Sequence, residues 1–96
     1  MTIKKIDLID AVEKQIGPRF TKKDIALIVN LFLKEISRQL AEGNRIEIRR
    51  FGIFKTNKRK EKIAKNPKTG KEIHIPARLV PVFKPSKILK QMVSQR

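Results

Sequence analysis

The segment that decides the architecture reads KTNKRKEKIAKNPKTGK and spans residues Lys55–Lys71. It contains eight Lys or Arg residues and one acid, Glu61, which gives a formal charge of +7. Residues 66–70 are Asn-Pro-Lys-Thr-Gly, and this turn-forming composition predicts the tip of a two-stranded hairpin. Ile63 and Ala64 are the only apolar residues between Lys55 and the tip, so we expect neither face of the hairpin to be apolar. Because such a ribbon is marginal alone, it predicts an arm that projects into solvent and is ordered by an acidic partner.

The composition narrows the class of partner. The 96 residues carry a net charge of +15, which favours nucleic acid, an anionic membrane surface or an acidic protein. The absence of cysteine excludes disulfides and thiolate chemistry. The longest apolar run, residues 25–29, is far shorter than the roughly 20 residues of a membrane span, so we expect no such span. The N-terminus lacks the apolar stretch of a secretory signal, so we expect a cytoplasmic protein. We expect no membrane partner, because the densest charge lies in a hairpin and not on an amphipathic helix.

The chain length predicts one domain and a thin core. If roughly twenty of the residues form an arm, the remaining body can bury only a small core. Domains of that size often gain stability by packing against a partner chain. We therefore expect self-association, either with an identical chain or with a related one.

Two helices are predicted before the arm. Isoleucine or valine recurs at positions 3, 6, 9, 12 and 16, which is one face of a helix that ends before Gly17. Thr21 and Asp24 have the spacing of a capping box at the start of a second helix, and Gly43 is placed to end it. The apolar stripe of this second helix is broad, so part of it is expected to face a second subunit.

Short strands are predicted on both sides of the arm. Residues 45–48 alternate between polar and apolar side chains, which predicts a strand, and Arg49 and Arg50 suggest a turn after it. A second strand is predicted to begin at Phe51, and Gly52 would allow a bulky ring or another backbone to come close to it. The arm returns through residues 72–75, and Pro76 interrupts the ladder. Residues 79–83 predict a third body strand, and Pro81 would confine it to an edge or a bulge. A short helix then begins at Ser86.

This order of elements predicts an α+β fold: two N-terminal helices, a three-stranded antiparallel sheet with a protruding two-stranded β-arm, and a short C-terminal helix. We expect a single domain over residues 1–96. Residues 1–43 would form its helical, dimerising part, and residues 44–96 would form the sheet, the arm at about 55–75 and the last helix.

Several motifs resemble those of the bacterial HU/IHF histone-like DNA-bending proteins. They are Phe-Gly-Ile-Phe at 51–54, Ala-Lys-Asn-Pro-Lys-Thr-Gly at 64–70, Ile-Pro-Ala at 75–77 and Val-Pro-Val-Phe-Lys-Pro-Ser-Lys at 80–87. The resemblance covers nearly the whole chain. It departs from the family pattern at Lys65, where Arg is usual, and at Ala64, where Gly is usual, which puts any Arg-dependent base preference in doubt.

The resemblance implies an intertwined dimer whose two arms enter the minor groove of double-stranded DNA in the nucleoid. It also implies a proline wedge at each arm tip that kinks the duplex, with weak sequence preference. The DNA-binding residues expected on this basis are Arg59, Lys60, Lys62, Lys65, Asn66, Pro67, Lys68, Lys71, Arg78, Lys84 and Lys87.

Competing interpretations of single features remain. Phe51, Phe54 and Phe83 are expected to form a core cluster, although exposed rings could stack on bases. His74, the only histidine, is expected on a strand surface because no cysteine or compact acidic cluster completes a metal site. No catalytic constellation is visible, so we expect neither an enzyme nor a cofactor nor a small-molecule substrate. A structural RNA-binding protein and a membrane-surface binder are the alternative functions.

Overall fold

A computed structural model describes residues 1–95 of the chain, which divide into two compact units, Met1–Arg38 and the part from Gln39 onwards. This part of the chain contains three helices and five strands, as the α+β prediction requires. In chain order they are α1 Lys5–Ile16, α2 Lys22–Ala41, β1 Ile46–Ile48, β2 Gly52–Arg59, β3 Lys62–Lys65, β4 Glu72–Ile75, β5 Arg78–Pro85 and α3 Lys87–Ser94.

Local hydrogen bonds fix both ends of helix α1. The Lys4 N–H donates to Asp7 Oδ2 at 2.9 Å, so an acid in the first turn satisfies a backbone donor that lacks a helical partner. At the other end, the Gly17 N–H donates to the Glu13 carbonyl at 3.1 Å, and Gly17 has a φ of 82°. Glycine reaches this left-handed conformation at little cost, so the helix ends where the sequence predicts.

Helix α2 has the predicted caps at both ends. The Asp24 N–H donates to Thr21 Oγ1 at 3.1 Å, and the Thr21 N–H donates back to Asp24 Oδ2 at 3.4 Å, which is a reciprocal capping box. At the C-terminus the Asn44 N–H bonds the Gln39 carbonyl and the Gly43 N–H bonds the Leu40 carbonyl, both at 3.0 Å. This pair of bonds, with Gly43 at φ 83°, is a Schellman motif.

One ion pair links α1 to α2. Lys22 Nζ lies 2.5 Å from Asp10 Oδ1 on the surface of the helical unit. The hydrogen bond that the Lys22 ammonium donates to the Asp10 carboxylate, together with the charge of that carboxylate, raises the pKa of Lys22 above its ordinary value of 10.5. Since both side chains are more than 40% exposed, water screens this attraction and its contribution to stability is small.

The helical unit leaves most of its apolar surface uncovered. Ile9 and Ile25, at 2% and 3% exposure, are the only fully buried hydrophobic residues in the described chain. The α2 stripe, in contrast, is 55–60% exposed along one face. Its residues are Leu27, Ile28, Leu31 and Phe32. A contiguous apolar stripe of this kind marks an interaction surface.

Strands β1, β2 and β5 form an antiparallel sheet in the order β1-β2-β5. A tight turn joins β1 to β2: the Phe51 N–H donates to the Ile48 carbonyl at 3.1 Å, and Arg50 takes a φ of 68°. Strand β5 pairs with β2 on one side only, so it is an edge strand, as Pro81 predicts. Proline has no N–H to donate to a ladder and is tolerated where one side of the strand is unpaired. Ser86 then caps α3 by accepting the Leu89 N–H at 3.1 Å.

The lack of a side chain at Gly52 allows the Phe83 ring to pack against the backbone of β2. A Cβ at this position would lie 2.6 Å from the Lys84 carbonyl oxygen and 2.6 Å from two ring atoms of Phe83. The Phe83 ring packs in tilted contact with Phe54 and Phe51, with ring centroids 4.8 Å and 5.3 Å apart. The predicted close approach at Gly52 is present. The predicted phenylalanine cluster forms, but within this chain it is not a buried core, because Phe51 and Phe83 are 45% and 40% exposed.

The arm is a separate two-stranded ladder. Strands β3 and β4 pair antiparallel, from Lys62 opposite Ile75 to Lys65 opposite Glu72. The longer β2–β5 pair stops at Arg59 opposite Arg78. Residues 60–61 on one limb and 76–77 on the other belong to neither ladder, so the ribbon has an interruption on both limbs at the same level. The predicted break at Pro76 lies within it.

Candidate nucleic-acid interface

A network of hydrogen bonds closes the arm tip. The Asn66 N–H donates to the Lys71 carbonyl at 2.9 Å, and the Gly70 N–H donates to the Asn66 carbonyl at 2.8 Å. Asn66 Oδ1 also accepts the Lys68 N–H at 2.9 Å. Gly70 supplies the positive φ of 72°. Pro67 lies exposed at the end of this network and takes part in none of these bonds.

The two faces of the arm differ in chemistry, and one of them corrects the sequence analysis. Residues directly opposite in an antiparallel ladder lie on the same face. The pairs Lys62–Ile75 and Ala64–Ile73 therefore share one face, here called the inner face. Three of its four residues are apolar, so the expectation that neither face is apolar is wrong. That expectation counted the outgoing limb alone, whereas the returning limb supplies both isoleucines.

The opposite side of the arm, here called the outer face, carries the pairs Ile63–His74 and Lys65–Glu72. His74 is exposed, as predicted, and its Nε2 lies 3.3 Å from Glu61 Oε2. Both acids of the arm are therefore close to, or part of, the outer face.

The β2–β5 pair gathers cations on one of its faces. Its register places Arg59 opposite Arg78, Lys55 opposite Val82 and Lys84 opposite Ile53, all on the face that does not carry the phenylalanine cluster. Asn57, opposite Val80, lies on the same face. We call this set of side chains the cationic face. Its only acid is Glu47, at the β1 edge opposite Ile53.

The Arg59–Arg78 pair is electrostatically unfavourable in the free chain. Like charges directly opposite one another on a sheet are destabilising, and neither guanidinium makes an ion pair within residues 1–95. An anion placed between them would convert this repulsion into attraction. The arrangement therefore favours an anionic ligand at the end of the body sheet.

A recess at the interruption of the ribbon joins the cationic face to the inner face of the arm. Its volume is about 390 Å³. Arg59, Arg78 and Val80 line it from the cationic face, and Lys62 and Ile75 line it from the arm. Lys60 and the acid Glu61 line it from the interruption itself. The two faces thus form one continuous surface within this unit of the chain.

The predicted site residues are distributed over this surface unequally. Arg59, Lys60, Lys62 and Arg78 all line the recess, and Lys84 lies farther along the cationic face. The tip, residues 66–71, contains Asn66, Pro67, Lys68 and Lys71. Lys65 lies on the outer face, directly opposite Glu72. Lys87 is the first residue of α3.

Lys55 and Asn57 belong to the cationic face but are not among the residues expected from the sequence to bind DNA. The signal that would have found them is the strict alternation from Ile53 to Arg59, once Phe54 is assigned to the aromatic cluster.

Other kinds of site find no support in the part of the chain described. No group of three His, Asp or Glu residues within it is arranged to hold a metal ion. None of its helices combines the length and the apolar character needed to cross a membrane.

Comparison with known proteins agrees with this geometry. The family model described as bacterial DNA-binding protein matches residues 3–94. Integration host factor subunit beta of Hahella chejuensis is 41% identical over 90 residues, which cover 94% of this chain and 91% of the relative. Integration host factor subunit alpha of Afipia carboxidovorans is 42% identical over 93 residues, covering 97% and 80%.

The fold also matches solved structures of HU proteins. HU from Anabaena, in a cocrystal structure with DNA, superposes with a TM-score of 0.89 at 30% identity and covers 98% of this chain and 100% of its own. HU from Thermotoga maritima gives a TM-score of 0.66 at 33% identity, covering 95% and 98%. The resemblance noted in the sequence is thereby confirmed: the chain belongs to the bacterial DNA-binding protein family that includes HU and integration host factor.

Proposed function

We propose that this protein is an architectural protein of the nucleoid that bends or wraps double-stranded DNA as a dimer, with weak sequence preference. In this proposal the two arms lie in the minor groove, and Pro67 of each arm inserts between base pairs. The eleven residues expected to bind DNA keep that role, joined by Lys55 and Asn57 of the cationic face.

The observation that carries the proposal is the register of β2 and β5. It sets Arg59 against Arg78 and places Lys55 and Lys84 on the same face, which leads through the recess to the arm. Cations gathered on one side of a ribbon can contact the phosphates of a duplex, and contacts of this kind position a protein without reading base sequence.

The exposed α2 stripe supports the dimer. A second chain, identical or closely related, would remove Leu27, Ile28, Leu31 and Phe32 from water, and burying each such side chain is worth about 1.5–3 kcal/mol. Two chains of charge +15 bring +30 to the DNA. If about ten phosphates are neutralised, the logarithm of the binding constant falls against the logarithm of salt concentration with a slope near −9.

The hydrogen bonds of the tip support the wedge. Since residues 66 and 68–71 make the hydrogen bonds of the turn, the exposed Pro67 ring has no partner within the tip and is accessible to DNA. A wedge costs a few kcal/mol of unstacking, and contacts that only the bent duplex permits offset that cost.

The proposal is tested by the affinities for a linear and a nicked duplex of equal length at matched salt. Smooth bending of a short site costs on the order of 1–6 kcal/mol, and a nick removes part of that stiffness, so we expect tighter binding to the nicked duplex. Equal affinities would contradict bending. Preference for duplex RNA in a competition would favour the RNA-binding alternative, and co-sedimentation with anionic liposomes would favour the membrane one.

Substitutions at two neighbouring tip residues distinguish the contribution of the proline wedge to bending from the contribution of charge to affinity. We expect Pro67→Ala to reduce the bend angle, measured by energy transfer between the ends of a labelled duplex, more than it reduces affinity. Lys68→Ala keeps the backbone N–H that bonds Asn66 and removes one charge, so it should lower affinity and leave the bend unchanged. A Pro67→Ala variant that bends DNA fully would remove this residue from the mechanism.

A further inference from the structure

The recess at the interruption of the ribbon has the size and the lining of a small-ligand site. Its volume of about 390 Å³ falls within the roughly 300–1,000 Å³ that small-molecule pockets occupy. Two half-buried aliphatic side chains, Ile75 and Val80, line it together with charged residues. Apolar walls with a few converging charges are typical of sites that hold a small charged molecule.

The charged lining is strongly positive. Arg59, Lys60, Lys62 and Arg78 are four cations, and Glu61 is the only acid among the described residues that line the recess, so its formal charge is +3. None of the four cations forms an ion pair within residues 1–95, whereas the Glu61 carboxylate lies 3.3 Å from a histidine nitrogen on the outer face. Four such cations around one recess favour an anion of high charge density.

The Arg59–Arg78 pair suits a phosphate that carries more charge than a DNA phosphodiester. Residues directly opposite in an antiparallel ladder have Cβ atoms roughly 4.5–5.5 Å apart, so both guanidiniums can reach one phosphate group. A phosphodiester of DNA carries a single negative charge. A phosphate group at the end of a chain carries about −1.5 to −2 at neutral pH and has three acceptor oxygens, which two planar guanidiniums can share.

We propose that the recess binds a polyphosphate group, as present in a nucleoside triphosphate or in inorganic tripolyphosphate. Arg59 and Arg78 hold its terminal phosphate, and Lys60 and Lys62 contact the phosphates that follow. In a nucleotide, the sugar lies against the two aliphatic walls. The phosphates of such a chain are joined through single oxygen atoms, whereas a sugar separates those of DNA, so the chain concentrates more charge within the recess.

One consequence of this proposal rests on the proposed function. The recess joins the cationic face to the inner face of the arm, so a ligand bound there occupies the place where a DNA backbone would pass between the two faces. Polyphosphate therefore competes with DNA, and it lowers the affinity for a duplex more than a simple salt does at the same ionic strength.

Binding itself is tested without DNA, by calorimetric titration of the whole protein in 0.15 M salt. The probes are a nucleoside triphosphate, tripolyphosphate and orthophosphate. We expect orthophosphate to bind about tenfold more weakly than tripolyphosphate, because it has no second phosphate for the two lysines. Equal affinities for the two chain ligands would identify the polyphosphate as the recognised group, and tighter binding of the nucleotide would add the aliphatic walls. Orthophosphate binding as tightly as tripolyphosphate would overturn the proposal.

Arg59→Gln and Lys58→Gln distinguish a site from general attraction by charge. The two residues are exposed neighbours in β2 on opposite faces, and each substitution removes one positive charge. We expect Arg59→Gln to weaken tripolyphosphate binding about tenfold, which is the loss of one charge-assisted hydrogen bond, and Lys58→Gln to weaken it about twofold or less. Equal weakening by both variants would overturn the site.

Competition is tested by the affinity for a nicked duplex in tripolyphosphate and in sodium chloride of equal ionic strength. We expect weaker DNA binding in tripolyphosphate. Equal DNA affinities in the two solutions would refute the competition. If the protein bound linear and nicked DNA equally, the proposed function would fail while the calorimetric result stood, so the two failures are distinguishable.

Discussion

The two units of the chain differ sharply in charge. Of the 24 Lys and Arg residues, eight lie in residues 1–38 and sixteen in residues 39–96, against five and four acids. The formal charges are therefore +3 and +12. The nearly balanced unit exposes the apolar stripe of α2, while the strongly basic unit contains the cationic face and the arm.

Each unit therefore has a surface suited to a different kind of partner. The helical unit leaves apolar side chains in water, which favours burial against another protein chain. The basic unit places like charges opposite each other, which favours an anion. Substitutions in one unit should therefore act on self-association, and substitutions in the other on stability of the sheet or on DNA.

The largest effect is expected from Phe32→Asp on the α2 stripe. A carboxylate placed in a buried interface without a partner costs several kcal/mol, so the dimer should dissociate at micromolar concentration, as measured by sedimentation equilibrium. Asn30→Asp is the matched control, because it adds the same charge at an exposed position of the same helix. A Phe32→Asp protein that remains dimeric would show that this stripe is not the interface.

A smaller effect on stability is expected from Gly52→Ala. The added methyl group would lie 2.6 Å from the Lys84 carbonyl, which is backbone and can move only if β5 moves. Overpacking of this kind destabilises a protein by about 1–3 kcal/mol, measurable by urea unfolding at fixed protein concentration. Gly70→Ala is the control, since no atom lies near its Cβ and only its φ of 72° opposes the change. A smaller loss at Gly52 than at Gly70 would contradict the close packing.

Arg78→Gln should change stability and DNA affinity in opposite directions. Removing one member of the Arg59–Arg78 pair relieves repulsion, so the free energy of unfolding should rise by about 0.2–1 kcal/mol. Losing one phosphate contact per chain should lower the magnitude of the salt slope by about 2 for a dimer. A variant that is less stable yet binds DNA unchanged would assign Arg78 a structural role.

The smallest effect is expected from Asp10→Asn in the helical unit. The raised pKa of Lys22 means that its ion pair contributes stability near neutral pH and loses it as the pH rises above about 10.5 through the folded-state pKa. The small difference in melting temperature between wild type and variant should therefore vanish at high pH and shrink in 1 M salt. A difference that persists under both conditions would point to another cause.

The sequence predicts best those features that depend on neighbouring residues. The capping box of Thr21 and Asp24, the helix end at Gly43 and the turn at Asn66 each require only a few adjacent positions, and each forms as expected. The face on which a strand residue lies depends instead on a partner strand far along the chain. For that reason the apolar inner face and the contribution of Lys55 to the cationic face emerged only from the register.

The central claim is that the arm closes on duplex DNA and bends it. Because Arg59 lies directly opposite Arg78, residues 60–77 can be replaced by a two-residue Asn-Gly turn that leaves the body sheet paired. The decisive measurement is the bend angle of an end-labelled duplex bound by the wild type and by this armless variant, with dimer formation verified for both. We predict strong bending by the wild type and nearly straight DNA with the armless variant. Equal curvature in the two complexes would contradict the account.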